Sequence, residues 1–478
     1  MATRALGLIS TLVLARLLLP ADFGMVALAT GFAQAIEAMS FLGVEDALVR
    51  ERHPNRSLYD TAFTLNLLRG LAMAGVLAAL AIPAAGWFAE PRLVWLLYAL
   101  AFGAAVDGLG NIGLIEFRRD FAFHREFVSM ILPRLLSIVL MIAAACIWRS
   151  YWALVVGALV MRFGRVALSY RLHPYRPRLS LAAWRGLIGY SLWSWAVALA
   201  VMVRERSTML LIGRMLGTGA AGVYSVGADL AALPTSELVE PLSRSAFSGF
   251  AAARHQGEPA AGIYLRVVAA AALLTLPAGI GTSLIADPLV RLAFGPNWVE
   301  AIPLVQVLAI AGAATVFGYI GWTLFSAHAL LRTVLTVSVV AAAARILLLV
   351  FLLPRQGVLG AAVAVTASIV VEDVLYIGLT FRRFGVRAAA LLASVWRGGL
   401  AAACMAVALV QAGLGWAPVV AGPGVLALEL AAAIALGGAV YVGVLLLTWL
   451  ASGRPHGAEA DAVAGIIRLM GRLRRTAI

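Results

Sequence analysis

Six arginines, Arg16, Arg69, Arg134, Arg204, Arg206 and Arg345, fall inside strongly apolar runs, and so do the carboxylates Asp229, Glu237 and Glu240. A charge at membrane depth is costly and normally faces a partner, water or a cavity. Several guanidinium groups there need anions or water, so Arg69, Arg134, Arg204, Arg206 and Arg345 are candidate lining of an anion-accepting cavity, with internal pairing as the alternative. Arg16 and Arg214 lie near span ends and can snorkel to the interface. Arg204 lies about 26 Å into its span, where snorkelling is harder. Arg204 and Arg206 are about 200° apart on a helix, so both cannot face one lumen unless the helix unwinds. One of them can pair instead with Glu205 or a neighbouring helix. Glu372 and Asp373 sit about 10 Å deeper than Arg345, which argues against direct contact with it.

The acids concentrate on one run. Asp229, Glu237, Glu240 and Arg244 fall within an arc of about 80° at 100° per residue. Asp229 lies about 15 Å in, near the midplane. This face reads either as a polar seam, with Arg244 neutralising Glu240, or as a proton or cation coupling site. Pro234 and Pro241 can kink the helix. The chain carries no HExxH, GxSxG or CxxC pattern, and Cys146 and Cys404 sit in apolar runs as small core residues. No metal, cofactor or catalytic step is expected. Every one of the 37 basic residues is Arg, so the P-loop lysine of a Walker-type ATPase is missing. The net charge of +14 resides in short loops and is not a nucleic-acid signature.

The elements that position these groups are membrane helices. The 478 residues are 63% hydrophobic and 13% charged, with a mean hydropathy of +0.95. Soluble domains are nearer 45–50% apolar and about 25% charged. Apolar runs of about 20–27 residues have helical-span length, whereas barrel strands would be about 9–11 residues and alternating. The fold class expected is an all-α, polytopic membrane protein of about 14 transmembrane helices. Among the expected spans are 60–86, 92–115, 219–243, 329–353 and 357–381. Segments after even-numbered spans are rich in Arg, as in Arg118, Arg119 and Arg125, or Arg382, Arg383 and Arg387. Those after odd-numbered spans hold at most one, such as Arg92, Arg149 or Arg355. The positive-inside rule then puts both termini in the cytoplasm.

Leu14–Thr30 repeats at Ile212–Ala228, with Arg16 on Arg214, Leu18 on Leu216 and Gly24 on Gly222, a constant offset (214 − 16 = 222 − 24 = 198). The repeat divides the chain into a six-helix lobe over 1–180 and another over 185–387, parallel halves of the kind that flank a transporter's site. Two additional helices follow over 388–451. Residues 459–478 read as a cytoplasmic amphipathic tail helix on anionic lipid, with Val463, Ile466, Ile467, Met470 and Leu473 opposite Arg468, Arg472 and Arg475.

ARLLLPADFGMVALATGF, LLIGRMLGTGAAGVYSVGADLAALP and FGPNWVEAIPLVQVLAIAGA resemble the polysaccharide biosynthesis, or O-antigen and exopolysaccharide (Wzx-type) flippase, family. That family belongs to the multidrug/oligosaccharidyl-lipid/polysaccharide exporter superfamily. The resemblance implies two six-helix lobes around a central cavity plus two extra C-terminal helices. It also implies alternating access and flipping of a polyprenyl-diphosphate-linked oligosaccharide from the cytoplasmic to the periplasmic leaflet of the bacterial inner membrane. Membrane lipids, a polysaccharide polymerase and chain-length proteins are its expected partners. Arginine suits such a substrate, because it binds phosphate bidentately and stays charged. Thr208 stands where family members often carry an acid before L-I-G-R. The competing readings are a drug or cation antiporter of the same superfamily, which would want acids rather than arginines, and a membrane-embedded polymerase or ligase, which would want a large periplasmic loop.

Overall fold

The structure, a computed structural model, describes residues 2–39, 48, 55–120, 122–184, 192–257, 259–418, 421–455 and 457–461. It is helical, with no strand among the described residues. The helices are α1 (Ala2–Leu17), α2 (Pro20–Met39), α3 (Arg56–Phe88), α4 (Leu93–Asp107), α5 (Ile115–Arg119), α6 (Phe123–Trp148) and α7 (Trp152–Leu172). They continue with α8 (Leu192–Gln256), α9 (Ala260–Leu284), α10 (Ala286–Ala293), α11 (Ile302–Ala327), α12 (Leu331–Phe384), α13 (Ala388–Gln411) and α14 (Pro423–Ala451). Among the described residues eight helices are long and apolar enough to cross a membrane, and two shorter apolar stretches, Leu6–Leu17 and Leu93–Asp107, accompany them. The protein is a multi-span α-helical membrane protein.

Packing divides the chain into two compact units, Met1–Ser225 and Val226–Ile478. In the first, Leu14 of α1 and Leu18, just beyond its end, bury against Ala144, Ala145 and Ala153. In the second, Phe250, Tyr264, Val316 and Ile320 form one core, and Ala401, Ala402 and Met405 of α13 form another with Ala433 and Tyr441 of α14. Tyr441 donates its hydroxyl to the Leu273 carbonyl at 2.7 Å, which ties α14 to α9.

Several element boundaries differ from the sequence expectation, each for a local reason. The span expected over 60–86 begins at Arg56, because Asn55 caps it by accepting the Leu58 N–H at 2.9 Å. The span expected over 92–115 ends at Asp107. Gly108, Gly110 and Asn111 break it, and Asn111 is engaged elsewhere: its side chain accepts from Gly113 and donates to the Tyr175 carbonyl. The span expected over 219–243 runs on to Gln256, since Ala246, Phe250 and Ala253 form a buried stripe beyond the charged Arg244. The spans expected over 329–353 and 357–381 make up α12, interrupted at Gly357, whose φ of 59° is left-handed backbone suited to glycine. Of the expected tail helix, 462–478 lies outside the described residues. Its root is held where Arg397 Nε donates to Glu459 at 2.7 Å, both side chains being nearly buried.

Candidate functional site

The arginines singled out from sequence occupy different surroundings. Arg345 on α12 is 4% exposed, and its Nε donates to the Ser368 hydroxyl at 2.8 Å across the Gly357 bend. The Asp373 carboxylate accepts the Gly318 N–H of α11 at 2.8 Å. Arg204 on α8 pairs with the adjacent Glu205 at 3.1 Å, one of the pairings expected for it. Arg69 on α3 and Arg206 on α8 are half-buried.

Arg134 on α6 lines a cavity of about 390 Å³ inside the first unit. Small residues let α6 and α7 close on each other at one end. A Cβ on Gly157 would meet the Met141 sulfur at 2.6 Å, and one on Gly164 would meet Pro133 at 3.1 Å. Ser137 fastens this end by donating to the Gly157 carbonyl at 2.7 Å. Asn66, Asp107, Glu126, Ser129, Arg134 and Arg165 are among the residues that line the space. Arg162 reaches Asp107 at 3.0 Å and runs closely past Gly103, while Arg165 and Arg69 also act on Asp107 electrostatically. The Nε of Arg134 is buried and has no hydrogen-bond partner among the described residues, although its guanidinium lies against Gly7 of α1.

The acids of α8 lie in the second unit. Asp229 is exposed, Glu237 is half-buried and Arg244 is exposed. The side chain of Glu240 lies outside what the structure describes, so the acidic face is visible only in part. Thr208, at the position where an acid was expected by resemblance, is 2% exposed and has no partner for its hydroxyl among the described residues.

Two features escaped the sequence reading. One is a polar strap over 173–183. Tyr175 donates its hydroxyl to Asp60 at 2.5 Å, the Arg178 N–H donates to the same oxygen at 3.0 Å, and the Ser180 and Ala183 N–H groups donate to Thr64 and Thr61. His173 lies 2.8 Å from Glu116. Burial, and then the bond to Asp60, push the Tyr175 phenol well above its usual value. Asp60, Thr61 and Thr64 stand together in YDTAFT, but nothing local identifies the chain that caps them.

The other is the contact between repeat mates, inside the first unit. A Cβ on Gly24 would stand 1.7 Å from the Thr218 carbonyl oxygen, and one on Gly222 would stand 1.8 Å from that of Pro20. Thr218 is the repeat mate of Pro20 (20 + 198 = 218). The contact is therefore reciprocal, as across a local two-fold axis. Gly217, with φ 84°, turns the chain just before it.

The family model described as polysaccharide biosynthesis protein matches residues 13–303. That is more than half of the chain (303 − 13 + 1 = 291 of 478). Among curated relatives, the succinoglycan biosynthesis transport protein ExoT of Rhizobium meliloti is 25% identical over 311 residues, 65% of this chain and 63% of that protein. The lipopolysaccharide biosynthesis protein WzxC of Escherichia coli is 22% identical over 311 residues, 64% of this chain and 63% of that protein. The alignments thus span less than two thirds of these relatives. Among solved structures, the lipid II flippase MurJ in an inward closed conformation superposes with a TM-score of 0.74 at 12% identity, covering 95% of this chain and 98% of that one. An inward-facing multidrug resistance MATE family transporter of the MOP superfamily gives 0.62 at 16% identity, covering 80% and 94%. At such identities the likeness is one of fold.

Proposed function

Because the chain belongs to the polysaccharide biosynthesis protein family, we propose that it flips a polyprenyl-diphosphate-linked oligosaccharide from the cytoplasmic to the outer leaflet by alternating access. The observation that carries this reading is the near-complete likeness of fold to a lipid II flippase, in a chain whose family match concerns polysaccharide biosynthesis. The physical problem is a head group with about two negative charges that cannot enter hydrocarbon unaided. A two-lobed helical transporter, 1–180 and 185–387, solves it by offering the head group a polar path while the lipid tail stays in the bilayer. Arg204 and Arg69 are the groups assigned to the diphosphate; Arg206, about 200° around α8 from Arg204, cannot face the same lumen, since α8 is helical there and breaks only at Gly217. Arg204 and Arg69 each have a guanidinium suited to bidentate phosphate bonding, and neither is as deeply enclosed as Arg345. Arg345, by its bond to Ser368, holds the two arms of α12 together. Asp229, with Glu237 and Glu240, is the proposed coupling site, on the bacterial inner membrane with both termini cytoplasmic. The partners are membrane lipids and, in the same pathway, a polysaccharide polymerase and chain-length proteins.

The test is deletion in the native host, followed by extraction of lipid-linked sugars. Accumulation of a diphosphate-linked repeat unit in the cytoplasmic leaflet, reversed by the wild-type chain, is the expected result. Unchanged lipid-linked sugars with altered drug or cation resistance would instead favour the antiporter reading, to which the MATE-like fold also lends itself.

A further inference from the structure

We propose that the cavity inside the first unit is a binding site for a phosphate monoester, held by Arg134 and Arg165. The charged groups that line the space, with those that act on Asp107 from beside it, are of two kinds. Arg69, Arg134, Arg162 and Arg165 are the cations, and Glu37, Asp107 and Glu126 are the carboxylates. Four cations thus stand against three anions among the described residues, and a net charge in apolar surroundings calls for a counter-ion. Both lining carboxylates are already engaged, Asp107 by Arg162 at 3.0 Å and Glu126 by an interaction of its own. Arg134 is the cation left over. Its Nε is buried and has no hydrogen-bond partner among the described residues.

The donors select the class of anion. Arg134 on α6 and Arg165 on α7 line one space. Their helices touch beside them, where a Cβ on Gly164 would meet Pro133 at 3.1 Å. A guanidinium bonds best to two oxygens at once. The terminal phosphate of a monoester presents three free oxygens to two such forks, whereas a phosphodiester presents two and a halide none. The Asn66 amide lines the same space as a further donor. Size and polarity then bear on what the phosphate is attached to. The volume of about 390 Å³ lies within the usual range for small-ligand sites, about 300–1,000 Å³, and exceeds what a phosphate alone fills. Ile115, Met161 and Val166 make part of the wall apolar, which suits the carbon side of an ester rather than a second phosphate. The ligand is in this way set apart from the diphosphate of the transported lipid. Monoesters occur in solution and as the head group of phosphatidic acid, and the lining recognises what the two share.

This site does not depend on what the protein transports, so its test is binding. The purified full-length chain in neutral detergent is titrated by calorimetry with glycerol 3-phosphate. A second titration uses phosphatidic acid in mixed micelles with phosphatidylcholine. One saturable site per chain is expected, and whichever ester binds more tightly identifies the source, solution or bilayer. Arg134→Gln and Arg165→Gln should each weaken binding about tenfold or more, and Arg165→Lys, which keeps the charge without the fork, should recover it in part. Arg355→Gln, which removes an exposed arginine of the second unit, should bind as wild type does. Each variant is compared at an unchanged melting temperature, and Ser129→Trp, which fills the space, replaces any that fails to fold. No saturable binding of either ester at millimolar concentration would overturn the site. So would phosphatidylglycerol, a diester, binding as tightly as phosphatidic acid, or binding unchanged in both Arg165→Gln and Ser129→Trp. Weakening by Arg204→Gln but not by Arg165→Gln would put the phosphate at the transport path instead and overturn it equally.

Discussion

At the scale of single residues, charge at depth has three fates here: pairing, enclosure or access. Arg204 illustrates pairing, with Glu205 beside it at 3.1 Å. As the proposed phosphate ligand it must exchange that partner for substrate. Arg204→Ala is expected to lower surface polysaccharide by tenfold or more at unchanged protein level, whereas Arg204→Lys keeps the charge but loses the bidentate fork and recovers only in part. Normal polysaccharide in Arg204→Ala would make the residue structural. Asp229 illustrates access. In reconstituted vesicles, Asp229→Asn should bring gradient-driven flipping down to the rate seen without a gradient, while substrate binding survives. Vesicles that flip equally fast with and without a pH or sodium gradient would leave Asp229 as part of a helix seam.

Elements are set by close approach and by borrowed hydrogen bonds. The turn between α1 and α2 and the bend at Gly217 present glycines that touch through backbone atoms. No Cβ fits at 1.7 or 1.8 Å from a carbonyl oxygen, so Gly24→Ala or Gly222→Ala must push the backbones apart. Overpacking of this kind costs about 1–3 kcal/mol, and a lowered melting temperature of the detergent-solubilised protein is the expected readout. Gly219→Ala, with open space around its Cβ, is the control and should be silent. The strap is the second case. Asp60 accepts from both Tyr175 and Arg178, so Asp60→Ala leaves two donors without their acceptor. Protease should then cut within 173–183 at least several-fold faster than in wild type. Because the Tyr175 phenol is raised by burial and Asp60, its contribution is full below the unfolded phenol value of about 10. It is lost as pH rises through the folded value, so the strap should loosen only in strong alkali.

At the scale of the whole molecule, the proposed two-lobe arrangement with cytoplasmic termini makes a labelling prediction. With Cys146 and Cys404 replaced, a cysteine at Pro296 should react with a membrane-impermeant thiol reagent in intact cells, and one at Pro174 should react only after lysis. Both positions are exposed, so accessibility to the reagent is decided by sidedness alone. The opposite pattern would invert the topology and with it the direction of transport.

What the sequence determined by itself was whatever composition and period carry without help from distant residues. A chain that is 63% hydrophobic with apolar runs of span length has to be a helical membrane protein, because hydrocarbon demands that backbone groups bond within the segment. The offset of 198 residues and the Arg-x-Leu and glycine motifs were equally legible, and they carried the family. Arg345 and Arg134 looked alike in sequence, each one guanidinium in an apolar run. Only tertiary structure separated them, by putting Ser368 beside one and a cavity beside the other. The same holds for Asp60, whose partners lie more than a hundred residues away, at Tyr175 and Arg178. Depth along a helix follows from rise per residue, but the partner a charge finds depends on which helices pack beside it. That choice is made by small residues such as Gly24, Gly157 and Gly222, whose meaning appears only once the opposing backbone is in place.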